Sequence, residues 1–321
     1  MLKRNLILLL FTFLLLSCNK VTKNKDSVFI DTDCGTDDII AIELLLNNSE
    51  NINITGISCV HGLTEVENGV KIIRCLIEKY EMSNIPVFSG ANKPFLETHP
   101  FPKEWKTQST EVGYEVTECN KSSSAKEFDP KEIISIIQNS HSKVLALGPL
   151  TNIKILLDNN LSTSTETVCM GGAINVGGNL KGNGEFETNN IYSEWNFYAD
   201  PIAAKFVLDK VDNLLLIPLD ATNNVKIDSS YLNINNWKNP NAKISYRILK
   251  GVENWILEGQ YYAWDPLAAA TIINHDIVVV DSAKLSISLQ KEEIGRVIKV
   301  ENGNFIKYGN TASKRQFDNL I

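Results

Sequence analysis

Residues 31–38 read Asp31-Thr32-Asp33-Cys34-Gly35-Thr36-Asp37-Asp38. Four carboxylates in eight residues repel one another strongly unless a cation sits among them, and the run holds no basic residue. Oxygen donors of this kind suit a hard ion such as Ca²⁺ or Mg²⁺ better than zinc. Such an ion, with a carboxylate beside it, lets a water attack near neutral pH. Helix-capping aspartates would account for Asp37 or Asp38 but leave Asp31 and Asp33 without a task.

The acidic run ends the hydrophobic stretch Val28-Phe29-Ile30 and precedes an apolar helical stretch at 39–46, in the order strand, loop, helix. The same order recurs with a strand at 52–60 before a helix at 66–79, and a strand at 143–147 before a helix at 150–157. A strand at 167–170 leads into a Gly-rich loop, and Asp200-Pro201 opens a helix with Asp as N-cap and Pro at its first position. Residues 214–219 read as a further buried strand; from Leu285 onward the chain is β-like, with a strand at 296–300. This alternation predicts an α/β fold: a mostly parallel, Rossmann-like open sheet with helices on both faces. Ligands of such sheets bind at the carboxyl ends of the strands, where the acidic run falls.

The chain opens with Lys3 and Arg4 and the nearly all-apolar stretch 6–16, too short for a bilayer span of about 20 apolar residues. It ends in Leu15-Leu16-Ser17-Cys18, which resembles the lipobox of bacterial lipoproteins. Residues 1–17 are therefore expected to be a cleaved signal peptide, Cys18 the lipidation site and 18–26 a polar tether. The expected location is the bacterial cell envelope, with the protein lipid-anchored and facing the periplasm or exterior. Residues 27–321 then form one domain, since no Pro-, Gly- or Ser-rich linker divides them. Loss of Lys3 and Arg4 takes the charge from −7 to −9, which argues against a nucleic-acid partner. Beyond Cys18, the residues Cys34, Cys59, Cys75, Cys119 and Cys169 show neither CxxC spacing nor a disulfide framework. Cys59, Cys75 and Cys169 are read as small buried side chains.

Two enzyme classes end a strand in such an acidic cluster. Haloacid-dehalogenase-type phosphohydrolases carry DxDx(T/V); nucleoside hydrolases of the inosine-uridine-preferring family carry DxDxGxDD. Residues 31–38 match the second pattern throughout, and Gly35 stands where the first needs Thr or Val. Four more segments follow in that family's order. Leu147-Gly148-Pro149-Leu150-Thr151-Asn152 resembles its GPLTN segment, and Met170-Gly171-Gly172 with Gly178-Asn179 resembles its MGG and GN stretch. Glu194-Trp195-Asn196 with Asp200-Pro201 resembles ExN and DP, and Trp264-Asp265-Pro266-Leu267 resembles the segment carrying the last metal ligand. The resemblance implies the nucleoside hydrolase fold, and Ca²⁺ held by Asp33, Asp38, the carbonyl of Thr151 and Asp265. It makes Asp33 also the general base on a water and gives Asp37 to a ribose hydroxyl. Asn179, Glu194 and Asn196 would hydrogen-bond the sugar, with Met170 beside them, and the assembly would be a homo-oligomer.

In the uridine-accepting branch of that family a histidine precedes the last ligand aspartate; here that residue is Trp264. Of the four histidines, His61 alone is expected at a site-facing strand end. The segments 100–105 and 261–265 instead resemble the purine-specific subclass, which stacks the base between two tryptophans. Trp105 and Trp264 are the candidates, and indoles on both faces stabilise a purine that carries positive charge. The expected substrate is a purine nucleoside, split into base and ribose. Leu63 departs from the family, which has Asn or Asp there. That departure keeps open another N-ribosyl compound, such as a pyrimidine nucleoside or nicotinamide riboside; a separate alternative is a non-catalytic ribose- and calcium-binding lipoprotein, against which the complete acidic motif argues.

Overall fold

The computed structural model describes residues 25–97, 99–118, 125–180, 186 and 188–321. The expected signal peptide, Cys18 and most of the tether lie outside them. The strands are β1 (Asp26–Thr32), β2 (Ile52–Cys59), β3 (Val87–Ser89), β4 (Lys126–Glu127), β5 (Lys143–Ala146), β6 (Thr167–Met170), β7 (Leu214–Ile217), β8 (Val278–Ile287), β9 (Val297–Lys299) and β10 (Phe305–Ala312). The helices are α1 (Thr36–Asn47), α2 (Val66–Lys79), α3 (Lys103–Thr117), α4 (Pro130–Asn139), α5 (Thr151–Asp158), α6 (Trp195–Ala199), α7 (Pro201–Lys210), α8 (Leu219–Thr222), α9 (Lys243–Gly251), α10 (Glu253–Leu257), α11 (Trp264–Ile273) and α12 (Lys314–Asp318).

The strands join in one sheet in the order β4-β3-β2-β1-β5-β6-β7-β10-β8-β9. Pairing is parallel from β4 across to β10, and antiparallel for β10 with β8 and β8 with β9. The expected mostly parallel sheet is present, with an antiparallel edge. Successive residues of β1 alternate between two cores: Val28 and Ile30 face the side covered by α1, α2, α9 and α11, while Phe29 faces that of α4, α5 and α7. Chain order reverses about β1, which has β2 on one side and β5 on the other. The connections leaving these strands diverge and open a crevice at their carboxyl ends.

Residues 214–219 do not form one strand: β7 stops at Ile217, and Leu219 begins α8 behind Pro218. The strands β3 and β4 are too short, at 3 and 2 residues, to show a period in the sequence. β8 starts before Leu285, at Val278, and its exposed Val279 and Val280 blur the alternation that would have marked it. Cys34, Cys59 and Cys169 are free and buried. Cys75 is disulfide-bonded, which corrects its reading as a merely buried thiol; sequence spacing says nothing about which distant segments meet. No helix among the described residues is long and apolar enough to cross a membrane.

The contact that positions the site is α1 against α11. α1 is buried from Thr36 to Leu46, and α11 presents the fully buried Ala268, Ala269 and Ala270. Small side chains let helix axes approach closely. Asp37 and Asp38 in the first turn of α1 thereby meet Asp265 in the first turn of α11.

α1 is also fastened to α9. Fully buried Glu43 accepts from the backbone N–H of Ile244 at 3.1 Å and of Ser245 at 2.5 Å, and from the hydroxyls of Ser245 and Tyr80. It supplies the cap that Ala242, at the start of α9, lacks. Burial still pushes its carboxyl above the usual value, although these donors oppose the shift. Glu43→Ala leaves buried donors unpaired, so a loss of about 2–4 kcal/mol is predicted, read as a lower urea midpoint. Glu43→Gln, which keeps an acceptor oxygen, should lose less.

Candidate active site

Beyond β1 the chain turns through Cys34, whose φ of +60° is unusual for a residue with a side chain. The turn is held at both ends: Cys34 N–H donates to Thr32 Oγ1 at 3.0 Å, and Thr64 Oγ1 donates to the Cys34 carbonyl at 2.9 Å. Gly35 keeps this turn close to its neighbours: a Cβ there would lie 2.8 Å from Leu63 Cδ1 and 3.0 Å from Asp38 Oδ2 and would press on the side chain it aims. Gly35 N–H donates to Asp38 Oδ2 at 2.9 Å, and the Thr32 hydroxyl donates to Asp38 Oδ1. Asp38 is thus aimed by its own turn.

Asp37, Asp38 and Asp265 each offer an oxygen within 4.8 Å of the others. Asp33 leans against the Asp38 side chain, and its Oδ2 accepts from Leu63 N–H at 2.8 Å. All four carboxylates are buried. Burial, and then the charge of Asp38, pushes Asp33 and Asp265 well above the carboxylate range and Asp37 to about 7. Among the described residues, no lysine, arginine or histidine is ion-paired with any of them. Two helix N-termini favour negative charge here, yet such dipoles are worth only about 0.3–2 kcal/mol each. An all-oxygen, buried and uncompensated donor set fits a hard divalent cation.

Asp31 stands behind this cluster. Its Oδ1 accepts from Ser58 Oγ at 2.5 Å and Asn152 Nδ2 at 2.7 Å, tying β1 to β2 and α5. Thr151 does not cap α5, a place taken by Leu150. Its hydroxyl donates to Asp200 Oδ2 at 2.6 Å and meets His61 Nε2 at 2.7 Å. Asp200 caps α7 as expected, accepting from Ala203 N–H at 3.1 Å. Burial, reinforced by Lys106, lowers His61 to about 4, so its ring is neutral near pH 7.

On the sugar-side segments, Glu194 has a structural task that its motif did not announce. It caps α6 by accepting from Asn196 N–H at 2.9 Å and Phe197 N–H at 3.2 Å, and it accepts from Gly172 N–H at 3.0 Å. Asn196 donates through Nδ2 to the carbonyls of Leu147 at 2.8 Å and Met170 at 3.3 Å, bridging the ends of β5 and β6. Asn179 accepts from Trp195 N–H at 3.2 Å. Glu194, Asn196, Met170 and Asn179 therefore belong to one hydrogen-bonded unit. The two candidate tryptophans sit in separate aromatic groups. Trp105 packs on Trp195 at 5.3 Å and Trp255 at 5.7 Å, and Trp264 on Tyr261 at 5.4 Å and Tyr262 at 5.9 Å. Both are half-buried. Trp195, read as packing, is buried among Phe101, Phe186 and Tyr198.

A family description matches residues 28–318 as inosine-uridine preferring nucleoside hydrolase. The chain belongs to that family. Uridine nucleosidase 1 of Arabidopsis thaliana is 25% identical over 300 residues, covering 88% of this chain and 86% of that protein. The non-specific ribonucleoside hydrolase RihC of Escherichia fergusonii is 24% identical over 273 residues, covering 83% and 84%. Among solved structures, an inosine-uridine preferring nucleoside hydrolase from Bacillus anthracis superposes with a TM-score of 0.78 at 22% identity, covering 92% of this chain and 97% of that one. A purine-preferring ribonucleoside hydrolase from Gardnerella vaginalis gives 0.77 at 21%, covering 92% and 96%. The protein is a ribosyl hydrolase that acts on N-ribosyl nucleosides.

Several contacts of this nucleoside hydrolase escaped the sequence. The Leu63 N–H on Asp33, the His61 bond to Thr151 and the packing of Trp255 on Trp105 join residues from different elements. No spacing marks such pairs. Asn152 lay inside a recognised segment, and a buried amide beside a motif threonine was the signal for it.

The repulsion predicts how the protein responds to ions. Calcium added to the metal-free nucleoside hydrolase should raise its melting temperature, by about 2.7 kcal/mol of stability at a hundredfold excess over Kd. Asp265→Asn replaces a carboxyl whose charged form burial and Asp38 disfavour with a neutral amide, so the metal-free variant should melt at least as high as metal-free wild type and gain little from calcium. Scanning fluorimetry with and without chelator reads both effects.

Proposed function

We propose that this nucleoside hydrolase cleaves purine ribonucleosides to free base and ribose in a calcium-dependent reaction. The convergence of Asp33, Asp37, Asp38 and Asp265 without a basic partner is the observation that carries the reading. Asp33, Asp38, Asp265 and the Thr151 carbonyl are assigned to the ion, and Asp37, which offers an oxygen within 4.8 Å of those of Asp38 and Asp265, is assigned to a ribose hydroxyl. A bound calcium ion supplies a lowered water pKa and a grip on the sugar hydroxyls.

The rest follows from the chain's own groups. Leu63 N–H occupies Asp33 Oδ2 at 2.8 Å, leaving Oδ1 to take the proton of the attacking water. The water oxygen bonds to C1′ as the bond from C1′ to the base nitrogen breaks, and the base leaves with a proton. Asn179, Glu194 and Asn196 hold the sugar as its ring flattens, from a frame already fixed by their bonds to Trp195, Gly172, Leu147 and Met170. Neutral His61 is no acid for the leaving base. Trp264 precedes Asp265 directly and Trp105 stands in the aromatic cluster, which supports stacking on a purine protonated at N7 from solvent. Relatives named for uridine and for purines both resemble the chain, so the base preference rests on these tryptophans. We place the protein in the bacterial envelope on a lipid at Cys18, a reading that the disulfide at Cys75 supports, since disulfides persist in oxidising compartments.

A reducing-sugar assay on a panel of ribonucleosides tests the reading. Inosine and guanosine should release ribose, and Asp33→Asn should lower the rate about 10²–10⁴-fold, with bound calcium measured alongside because Asp33 is also an assigned ligand. Trp264→Ala should lower purine turnover about 10–100-fold, the worth of one stacked base, while ribose binding is kept. Uridine turnover above that of inosine would overturn the purine assignment.

A further inference from the structure

We infer that His61 is a positioning residue: it donates from Nε2 to the Thr151 hydroxyl and so locks the first turn of α5 to the acidic turn after β1. The inference rests on the proposed cation site, because Thr151, like Asp265, is an assigned ligand that comes from a different connection than Asp33 and Asp38.

A hydroxyl has one hydrogen to give. That of Thr151 goes to Asp200 Oδ2 at 2.6 Å. The same oxygen accepts from Phe95 N–H at 3.1 Å, and Oδ1 accepts from Ala203 N–H at 3.1 Å, so Asp200 is an acceptor on both sides. Thr151 Oγ1 can then only accept from the imidazole 2.7 Å away. This sets the tautomer: Nε2 carries the hydrogen and Nδ1 does not.

The backbone around His61 is equally tied down. Its N–H donates to the Ala91 carbonyl at 2.9 Å. Gly62 admits no side chain, since a Cβ there would fall 1.9 Å from Asp33 Oδ2. Leu63 N–H then holds that oxygen at 2.8 Å. Three consecutive residues after β2 therefore grip Asp33, which follows β1, and Thr151, which follows β5. Their separation is set by a segment belonging to neither strand. A neutral donor does this without placing a positive charge beside a cation site, as Lys or Arg would. The Nε2 hydrogen is engaged with Thr151, so His61 does not protonate the leaving base.

Calcium binding to the metal-stripped full chain, measured by titration calorimetry, tests the inference without reference to turnover. His61→Ala should weaken the affinity about 10–100-fold, and His61→Gln, whose amide nitrogen can take the Nε2 place, should recover most of it. Unchanged affinity in His61→Ala, with wild type binding calcium, overturns the inference and leaves the proposed function standing. A wild type that binds no calcium overturns the calcium assignment itself. A two-bond ¹H–¹⁵N spectrum of metal-free wild type decides the hydrogen bond in any case, with the His61 signals assigned by their loss in His61→Gln. Protonated Nε2 with bare Nδ1 is expected; the opposite tautomer overturns the inference.

Discussion

The structure depends on an unfavourable interaction that it imposes on itself. Four aspartates are carried into a buried crevice by packing that has nothing to do with their charge: β1 and α1 deliver Asp33, Asp37 and Asp38, and the buried helix α11 delivers Asp265. At close range in a low-dielectric site such charges repel by several kcal/mol. Hydrophobic burial of α1 along its whole length supplies the compensation. The result is a fold that stores repulsion at one point, where the proposed cation would relieve it.

Around that point the polar groups work in pairs, one partner facing the crevice and the other bracing it. Leu63 N–H braces Asp33, Thr32 braces Asp38, and Asp200 with His61 braces Thr151. Glu194 and Asn196 brace the loops after β5 and β6 before any sugar arrives. Preorganisation of this kind is what an enzyme of this family needs, because its rate comes from groups already in place when charge develops on the sugar. Under the proposed function the leaving-group side is built differently, from aromatic surfaces on α3, α6, α10 and α11, where stacking would stand in for a charged acid.

Much of this was legible in the sequence because the chemistry is concentrated in short segments. The alternation of strands and helices predicted the sheet, and 31–38 with the four later segments predicted the family. Asp200-Pro201 announced a helix start, and it is one. What could not be read is whatever depends on distant segments meeting. The short strands β3 and β4 carry no period, Cys75 gives no hint of a partner, and Glu43 looks like any helix-surface glutamate until α9 is docked on it. The Thr151 hydroxyl likewise gives no sign, from its residue type, that it bonds Asp200 at the start of α7.

The most direct test of the central claim is a crystal structure grown in calcium, with anomalous data to locate the ion. The account predicts one calcium within about 2.3–2.6 Å of carboxylate oxygens of Asp38 and Asp265, with the Thr151 carbonyl and Asp33 completing the protein ligands. Absence of an anomalous peak there, with the aspartates sharing protons or bonded only to waters, would contradict it.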